Sequence, residues 1–441
     1  MMYNLYQLFI ASTGVVTDSR NAKKGQLFFA MRNAKTDGNQ YAHKALEQGC
    51  SYAIIDNPVY FDKNDNRYIL VEDAFKELIE LAKEHRKNIV IPFIGITGTC
   101  GKTTTKELVA AVLKQKYNVL YTSSSHNTAM GLARNLLRLT NEHELAVLEM
   151  GTDTTNGLVP LVEEFVKPQY GIVTNVGKAH LQGFGSFENV VKTKGFLYDY
   201  LKNTPDSIIF YHADDDMLCK MLDERQITNT IGYSTGNNRH SMVCGNIVSN
   251  KKFVEFEWYR TDSPDTKYSV KTHLVGSYNL PNLMAAISVG VYFEVNPTQI
   301  CEALEGYIPT NNRSQLQQTD KNILIIDTFN ANPNSMRAAL DNFQEFECQS
   351  GYPKMMILGD MKELGESSFE EHQRIVDFLI KSGVDNIWLV GEEFSKVESP
   401  FRKFQNVEAV KESLLSENIN HFTIFIKGSH STRLYELPDY L

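Results

Sequence analysis

The chain of 441 residues contains no apolar run of about 18 residues, the length an α-helix needs to cross a bilayer, so no membrane span is expected. Its first stretch, Met1 to Thr13, lacks the basic start and long apolar run of an export signal. Cysteine is scarce and scattered. Six residues, at 50, 100, 219, 244, 301 and 348, show no paired metal spacing, which argues against a zinc site and fits reduced thiols in the cytoplasm. Positive charge is in deficit: 44 Lys plus Arg against 53 Asp plus Glu give a net −9, the wrong balance for coating a duplex, so nucleic acid is not an expected partner. There is no internal repeat and no low-complexity tract.

What is present is a soluble globular composition, 42% apolar and 22% charged, in a chain long enough for two to four domains. Its most informative segment runs Ile94-Gly95-Ile96-Thr97-Gly98-Thr99-Cys100-Gly101-Lys102-Thr103-Thr104-Thr105. An apolar stretch, Ile89 to Ile96, broken by Pro92, leads into a glycine-rich turn. Leu108, Val109, Val112 and Leu113 then recur at helical spacing. Gly98 and Gly101 allow a sharp turn whose amides face a phosphate, with Thr99, Cys100 and Thr104 in the same cradle. Lys102 can lie along the β/γ oxygens, and Thr103 can offer a hydroxyl to Mg²⁺. The common form of this loop has another glycine five residues before Gly101, where Ile96 stands, so the loop is a variant.

The pattern of elements predicts an α/β protein of three domains. Residues 1–88 form a small α/β unit with strands at Leu27 to Ala30 and Tyr52 to Ile55, and helices at His43 to Gln48 and Glu72 to Arg86. Residues 89–310 alternate strand and helix, as a mostly parallel sheet around the phosphate loop requires, with Phe253 to Trp258 and Tyr268 to Leu274 as antiparallel strands. Residues 311–441 restart the alternation after the polar stretch Thr310-Asn311-Asn312 and read as a Rossmann-like, doubly wound domain.

Candidate site residues follow strand ends. Glu149 ends Leu145-Ala146-Val147-Leu148 and suits a hard cation, although an ordinary acidic strand end looks the same. Asn175 and His180 follow Gly171 to Thr174, where a lone histidine is more often a structural hydrogen-bonder. Lys192 and Lys194 stand near a helix start and by themselves read as solvated lysines. In the third domain, Asp327 to Pro333, Gly359 to Gly365 and Lys427 to Arg433 each place polar residues after a strand, and together they suggest one shared ligand surface. Asn332 and Pro333 also satisfy a helix start with no function at all.

The chain resembles the Mur ligases over nearly its full length, and within them the branch that joins D-alanyl-D-alanine to UDP-N-acetylmuramoyl-tripeptide. The resemblance rests on Thr97 to Thr103, His126 to Gly131, Glu149-Met150-Gly151, Asn175 to Leu181, Lys194-Gly195, Gly276 to Asn282 and the three third-domain segments. In the leading unit it rests on Thr17-Asp18-Ser19-Arg20, Leu27 to Ala30 and Asp37-Gly38. It implies ATP and two Mg²⁺ ions, with Lys102 and Thr103 at the phosphates and Thr103, Glu149, His180 and Lys194 at the metals. Lys194 corresponds to a lysine that the family carries as an N6-carboxylated (carbamylated) side chain. The resemblance further implies that Asn279, Arg313, Asp327 and Asn330 face the nucleotide and that Lys427 reaches the reacting phosphate. Ser19, Arg20 and Asn127 would hold the muramoyl substrate. The implied protein is a cytoplasmic monomer that forms an amide through an acyl phosphate. Three positions depart from the family pattern: Cys100 in the loop, Phe196 where a glutamate is common, and His212 where an asparagine is expected. Competing readings are a sibling ligase adding the third amino acid, whose Asp-Asn-Pro-Arg segment is absent, a folylpolyglutamate synthase, which lacks the leading uridine domain, and an ATP-gated scaffold with a dead site.

Overall fold

Pro92 has no N–H to give to a ladder, and the central strand Phe93–Thr97 begins immediately after it in the computed structural model, which describes residues 4–33, 36–123 and 127–441. This strand lies inside a nine-stranded sheet. From one edge the order is Lys267–Lys271, Glu255–Arg260, Val243–Ser249, Thr230–Ser234, Ile208–His212, Tyr170–Val173, Phe93–Thr97, Leu145–Glu149 and Val119–Tyr121. Seven strands are parallel, and the first two pair antiparallel, as the alternation in that segment predicts. Helices such as Lys102–Leu113 and Leu280–Tyr292 cover it; the latter is buried along most of its length. All parallel strands point their carboxyl ends to one edge, where such sheets place their ligands.

The third domain repeats the logic with six strands in the order Gln315–Gln318, Ile323–Asp327, Thr423–Lys427, Lys354–Gly359, Asn386–Val390 and Arg402–Phe404. Only Gln315–Gln318 is antiparallel. The leading unit has four parallel strands, Val15–Val16, Leu27–Phe29, Tyr52–Ile55 and Tyr68–Leu70. The architecture is therefore three α/β units with a parallel-rich central sheet.

The helix Ala74–Asn88 joins the first two units. Asp73 caps it by accepting from the Lys76 amide, and its apolar stripe, Ala74, Leu78, Leu81 and Ala82, is buried. One apolar cluster runs from Phe9, Leu27 and Leu78 through to Leu132, Phe165 and Leu197, so the core continues past residue 88. Arg86 crosses the same seam. Its guanidinium donates to the carbonyls of Val166, Lys167 and Ile89 at 3.1–3.2 Å and lies 3.6 Å over the Phe93 ring. Burial lowers its pKa to about 10.

Candidate active site

The phosphate loop is shaped by two glycines in the left-handed region. Gly98 has φ 141° and Gly101 φ 79°. A Cβ on Gly98 would stand 2.1 Å from the Thr174 hydroxyl, and one on Gly101 2.5 Å from Asn282 Oδ1, so sterics as well as φ require glycine. Asn175 anchors the loop: its carbonyl and Oδ1 accept from the Thr99 and Cys100 amides at 3.0 Å each, and its Nδ2 and the Thr174 hydroxyl donate to the Cys100 carbonyl. Those two amides thus face the neighbouring strand end. The amides of the first turn of Lys102–Leu113 have no side-chain cap and stand at the positive end of its dipole, where an anion would be favoured.

Beside this turn, Glu149 is fully buried. One carboxylate oxygen accepts from the Thr103 hydroxyl at 2.8 Å and the other from Asn127 Nδ2 at 2.7 Å. A hydroxyl and a buried carboxylate this close fit a hard divalent cation. Among the described residues no three His, Cys, Asp or Glu gather at one point, so such an ion would complete its shell with phosphate oxygens and water, as Mg²⁺ does. Lys102 curls over the loop and donates to the Gly98 and Thr99 carbonyls at 2.8 and 3.0 Å. Burial lowers its pKa, and Glu149 opposes that shift.

Lys194 departs from its sequence reading. The helix starts at Phe187, capped by Ser186, which puts Lys194 in its third turn rather than at its start. Lys192 is exposed, whereas Lys194 is 2% exposed, with its ammonium 3.5 Å from the Thr152 carbonyl. Burial, then the positive charge of Lys102, lowers its pKa to about 7. Phe196 packs partly buried against the large apolar cluster.

A cavity of about 640 Å³ opens over the loop, and the third domain forms its opposite wall. From the central domain it is lined by Thr99 to Thr104, Asn127, Glu149, His180 and Asn279, and from beyond residue 310 by Arg313, Asp327, Asn330 and Lys427. Lys194 lies just behind it, through Thr152. Gly98 lies beneath it, touching it through the Lys102 contact. Arg313 stacks 3.9 Å over the Phe329 ring, and burial lowers its pKa against the pull of Glu149 and Asp327. The expected nucleotide residue Asn279 donates to the Val275 carbonyl and accepts from Asn282, which in turn accepts from Thr105 in the loop helix.

Lys427, expected to reach the reacting phosphate, lines the cavity, where it donates to Asp327 at 2.5 Å and to the Asn330 carbonyl at 3.2 Å. One expectation for the third domain needs correction. The segment Gly359 to Gly365 does not join a shared ligand surface, because Asp360 is buried and accepts from the Glu393 and Phe394 amides, capping a short helix. It reaches the cavity's edge only through Glu363, whose carboxylate meets His180 Nδ1.

Asn332, Asn334 and Tyr278, to which the sequence reading gave no individual role, also stand on the cavity wall. Asn332 and Pro333 do cap the helix Pro333–Glu345, but Asn332 Nδ2 also donates to Cys100 Sγ at 3.1 Å. His212 lines the cavity too, stacked on Tyr233 and bonded to the Thr235 hydroxyl at 3.0 Å. Ser19 and Arg20 are away from this cavity, in the leading unit. The Arg20 side chain is paired with Asp18 at 2.7 Å, and its hydrogen bond lowers the Asp18 pKa to about 2. His126 lies outside the described residues.

Models of the Mur ligase family match most of the chain: a family catalytic domain at residues 12–102, the middle domain at 96–290 and the glutamate ligase domain at 312–424. A Synechocystis protein named UDP-N-acetylmuramoyl-tripeptide–D-alanyl-D-alanine ligase is 30% identical over 386 residues, covering 87% of this chain and 80% of its own. The Bacillus subtilis protein of the same name is 29% identical, covering 96% and 92%. The crystal structure of MurF from Acinetobacter baumannii superposes with a TM-score of 0.82 at 26% identity, covering 98% and 97%. A folylpolyglutamate synthase from Thermotoga maritima shares the fold at a TM-score of 0.57 and 13% identity over 82% of this chain. With this loop, this cavity and these relatives, the chain belongs to the Mur ligase family.

Proposed function

We propose that this chain joins D-alanyl-D-alanine to UDP-N-acetylmuramoyl-tripeptide at the expense of ATP, in the cytoplasmic stage of peptidoglycan synthesis. One observation carries the reading. A phosphate loop with its buried acid, Glu149, faces the strand-end groups Asp327, Asn330 and Lys427 of a second α/β domain across one cavity. Relatives that align over more than nine-tenths of the chain carry this activity in their names.

The chemistry asks the protein chiefly for placement and charge. The tripeptide carboxylate oxygen bonds to the γ-phosphorus of ATP, the bond to the β-phosphate oxygen breaks, and ADP leaves. The amine nitrogen of D-alanyl-D-alanine then bonds to the acyl carbon, phosphate departs with the linking oxygen, and the nitrogen gives up a proton. Two anions must meet in the first step. Lys102 offsets their repulsion, as do the first-turn amides, and Lys427 adds its charge when it leaves Asp327. Thr103 and Glu149 would hold one Mg²⁺ ion and His180 and Lys194 a second, and both would supply positive charge to offset that of the phosphates. For the second ion the lysine acts as its carbamate: the amine adds CO₂, releases a proton, and becomes an anion with two oxygens. A pKa of about 7 supports this, because only the free amine reacts. The third domain over the cavity excludes water that would hydrolyse the acyl phosphate.

Ser19 and Arg20 hold the uridine-diphosphate end in the leading unit, and Asn127 holds the substrate beside Glu149. Among the described residues no helix is long and apolar enough to cross a membrane. Phosphate release coupled to product detection tests the assignment across UDP-muramoyl-tripeptide with D-alanyl-D-alanine, UDP-muramoyl-dipeptide with single amino acids, and folate with glutamate. Turnover is expected with the first pair only; turnover with either of the others in its place would overturn it.

A further inference from the structure

Glu363 belongs to the third domain and His180 to the central one, yet the two side chains meet. The contact is not a chance touch of long side chains, since the backbone reinforces it: the Gln182 amide donates to the Glu363 carbonyl at 3.2 Å, and a Cβ added at Gly365 would stand 3.8 Å from the Gln182 Cα. Both residues sit in the left-handed region, His180 at φ 52° and Glu363 at φ 65°, so each is held in an uncommon backbone conformation where the two turns dock. Glu363 accepts at Nδ1, which fixes the ring's proton there and leaves Nε2 as the nitrogen with a free lone pair. His180 lines the cavity, and its ring also meets Phe184 edge-on, with the ring centroids 6.5 Å apart. Nearby seams also join the two domains: Asn332 to Cys100, and Asn334 pressed against Gly177, where an added Cβ would stand 2.4 Å from Asn334 Nδ2.

We infer that Glu363 is a positioning residue that reaches across the domain boundary to orient His180 for a divalent cation, so that cation affinity at His180 is linked to docking of the third domain. This rests on the reading of His180 as a metal ligand. A ligating histidine is commonly oriented by a carboxylate on its other nitrogen, and removing that carboxylate costs about 10–100-fold in metal affinity. Here the orienting group comes from a different domain, so the metal site is complete only when the domains are docked. By linkage, an ion at His180 also favours the docked state, and the two effects are equal in size.

The test uses the full chain with a β,γ-methylene analogue of ATP and UDP-muramoyl-tripeptide, and counts Mn²⁺ binding by electron paramagnetic resonance. H180A is expected to remove one of two Mn²⁺ sites. E363A is expected to weaken that same site at least tenfold while the other stays within twofold, and adding E363A to H180A should cost less than a further twofold. Without metal, the ¹⁵N shifts of the His180 ring should move from an Nδ1–H form in the parent to a mixture of tautomers in E363A. E363Q, which keeps the shape and an acceptor, should retain most of the affinity and guards against misfolding of the alanine variant. If H180A removes a site but E363A and E363Q leave it within twofold, the positioning role is wrong while the ligand assignment stands. If H180A leaves both sites intact, the ligand assignment fails and this inference falls with it.

Discussion

The Sγ of Cys100, in the phosphate loop, accepts a hydrogen bond from the side-chain amide of Asn332, in the third domain, at 3.1 Å. The loop therefore feels the third domain directly, through a thiol that also borders the nucleotide cavity. Bound ATP should cover this thiol. Iodoacetamide labelling of Cys100 is expected to slow at least tenfold with saturating Mg²⁺ and a slow ATP analogue, read by peptide mass spectrometry. An unchanged rate would mean that the thiol is reached from a side that nucleotide does not shield. An alkylated Cys100 should also lose activity, because the adduct occupies the place of Asn332.

Lys102→Ala should abolish turnover while leaving the fold intact. Its ammonium hydrogen-bonds to the loop carbonyls of Gly98 and Thr99, so its loss removes charge facing the phosphates without opening an apolar core. A fall in kcat of about 10³-fold is expected from the loss of preorganised charge at a phosphoryl group, with the melting temperature nearly unchanged. Activity within threefold of the parent would contradict the phosphate assignment.

The carbamate proposed for Lys194 would carry a pH signature. The folded amine titrates near 7, below the usual lysine value, so its free-base fraction grows as pH rises through 7. Enzyme stripped of CO₂ and then returned to a fixed CO₂ pressure should regain activity about tenfold faster at pH 8 than at pH 6, the ratio of free-base fractions for a pKa near 7. Lys194→Ala should be inactive and partly rescued by a small carboxylic acid. Equal reactivation rates at the two pH values, with a mass showing unmodified lysine in active enzyme, would remove the carbamate from the account.

Arg20→Ala should weaken binding of UDP-muramoyl-tripeptide and leave ATP affinity near that of the parent. Arg20 is an exposed side chain of the leading unit, paired with Asp18, and it is not among the residues that line the cavity. Its loss should appear as a raised KM, about tenfold, with a smaller fall in kcat. Calorimetric titration of each ligand alone would separate the outcomes, and equal loss for both ligands would recast the unit as a structural lid.

Much of this was legible in the sequence because its signals are local. The glycines at 98 and 101, the buried strand ending in Glu149 and the polar turns after Ile326 and Ile426 all read correctly as elements, within a residue or two of the strands observed. What escaped was set by partners far away in the chain. Lys194 looked like a surface lysine, because nothing in Val-Lys-Thr-Lys-Gly reveals that the helix begins at Phe187 and turns that position inward. Asp360 looked like a ligand group because the donors it accepts from, the amides of Glu393 and Phe394, come from a later helix. Strands of two to four residues, such as Val15–Val16 and Gln315–Gln318, are too short to show an alternation. Asn332 read as a helix cap, which it is; its second bond to Cys100 depends on two domains meeting.

The central claim is that the tripeptide carboxylate attacks ATP within this cavity, and isotope transfer tests it most directly. UDP-muramoyl-tripeptide labelled with ¹⁸O in its terminal carboxylate, supplied with ATP, Mg²⁺ and D-alanyl-D-alanine, should release phosphate carrying one labelled oxygen per amide formed. Release of unlabelled phosphate alongside amide formation would mean that the carboxylate never bonds to the γ-phosphorus, and would contradict the account.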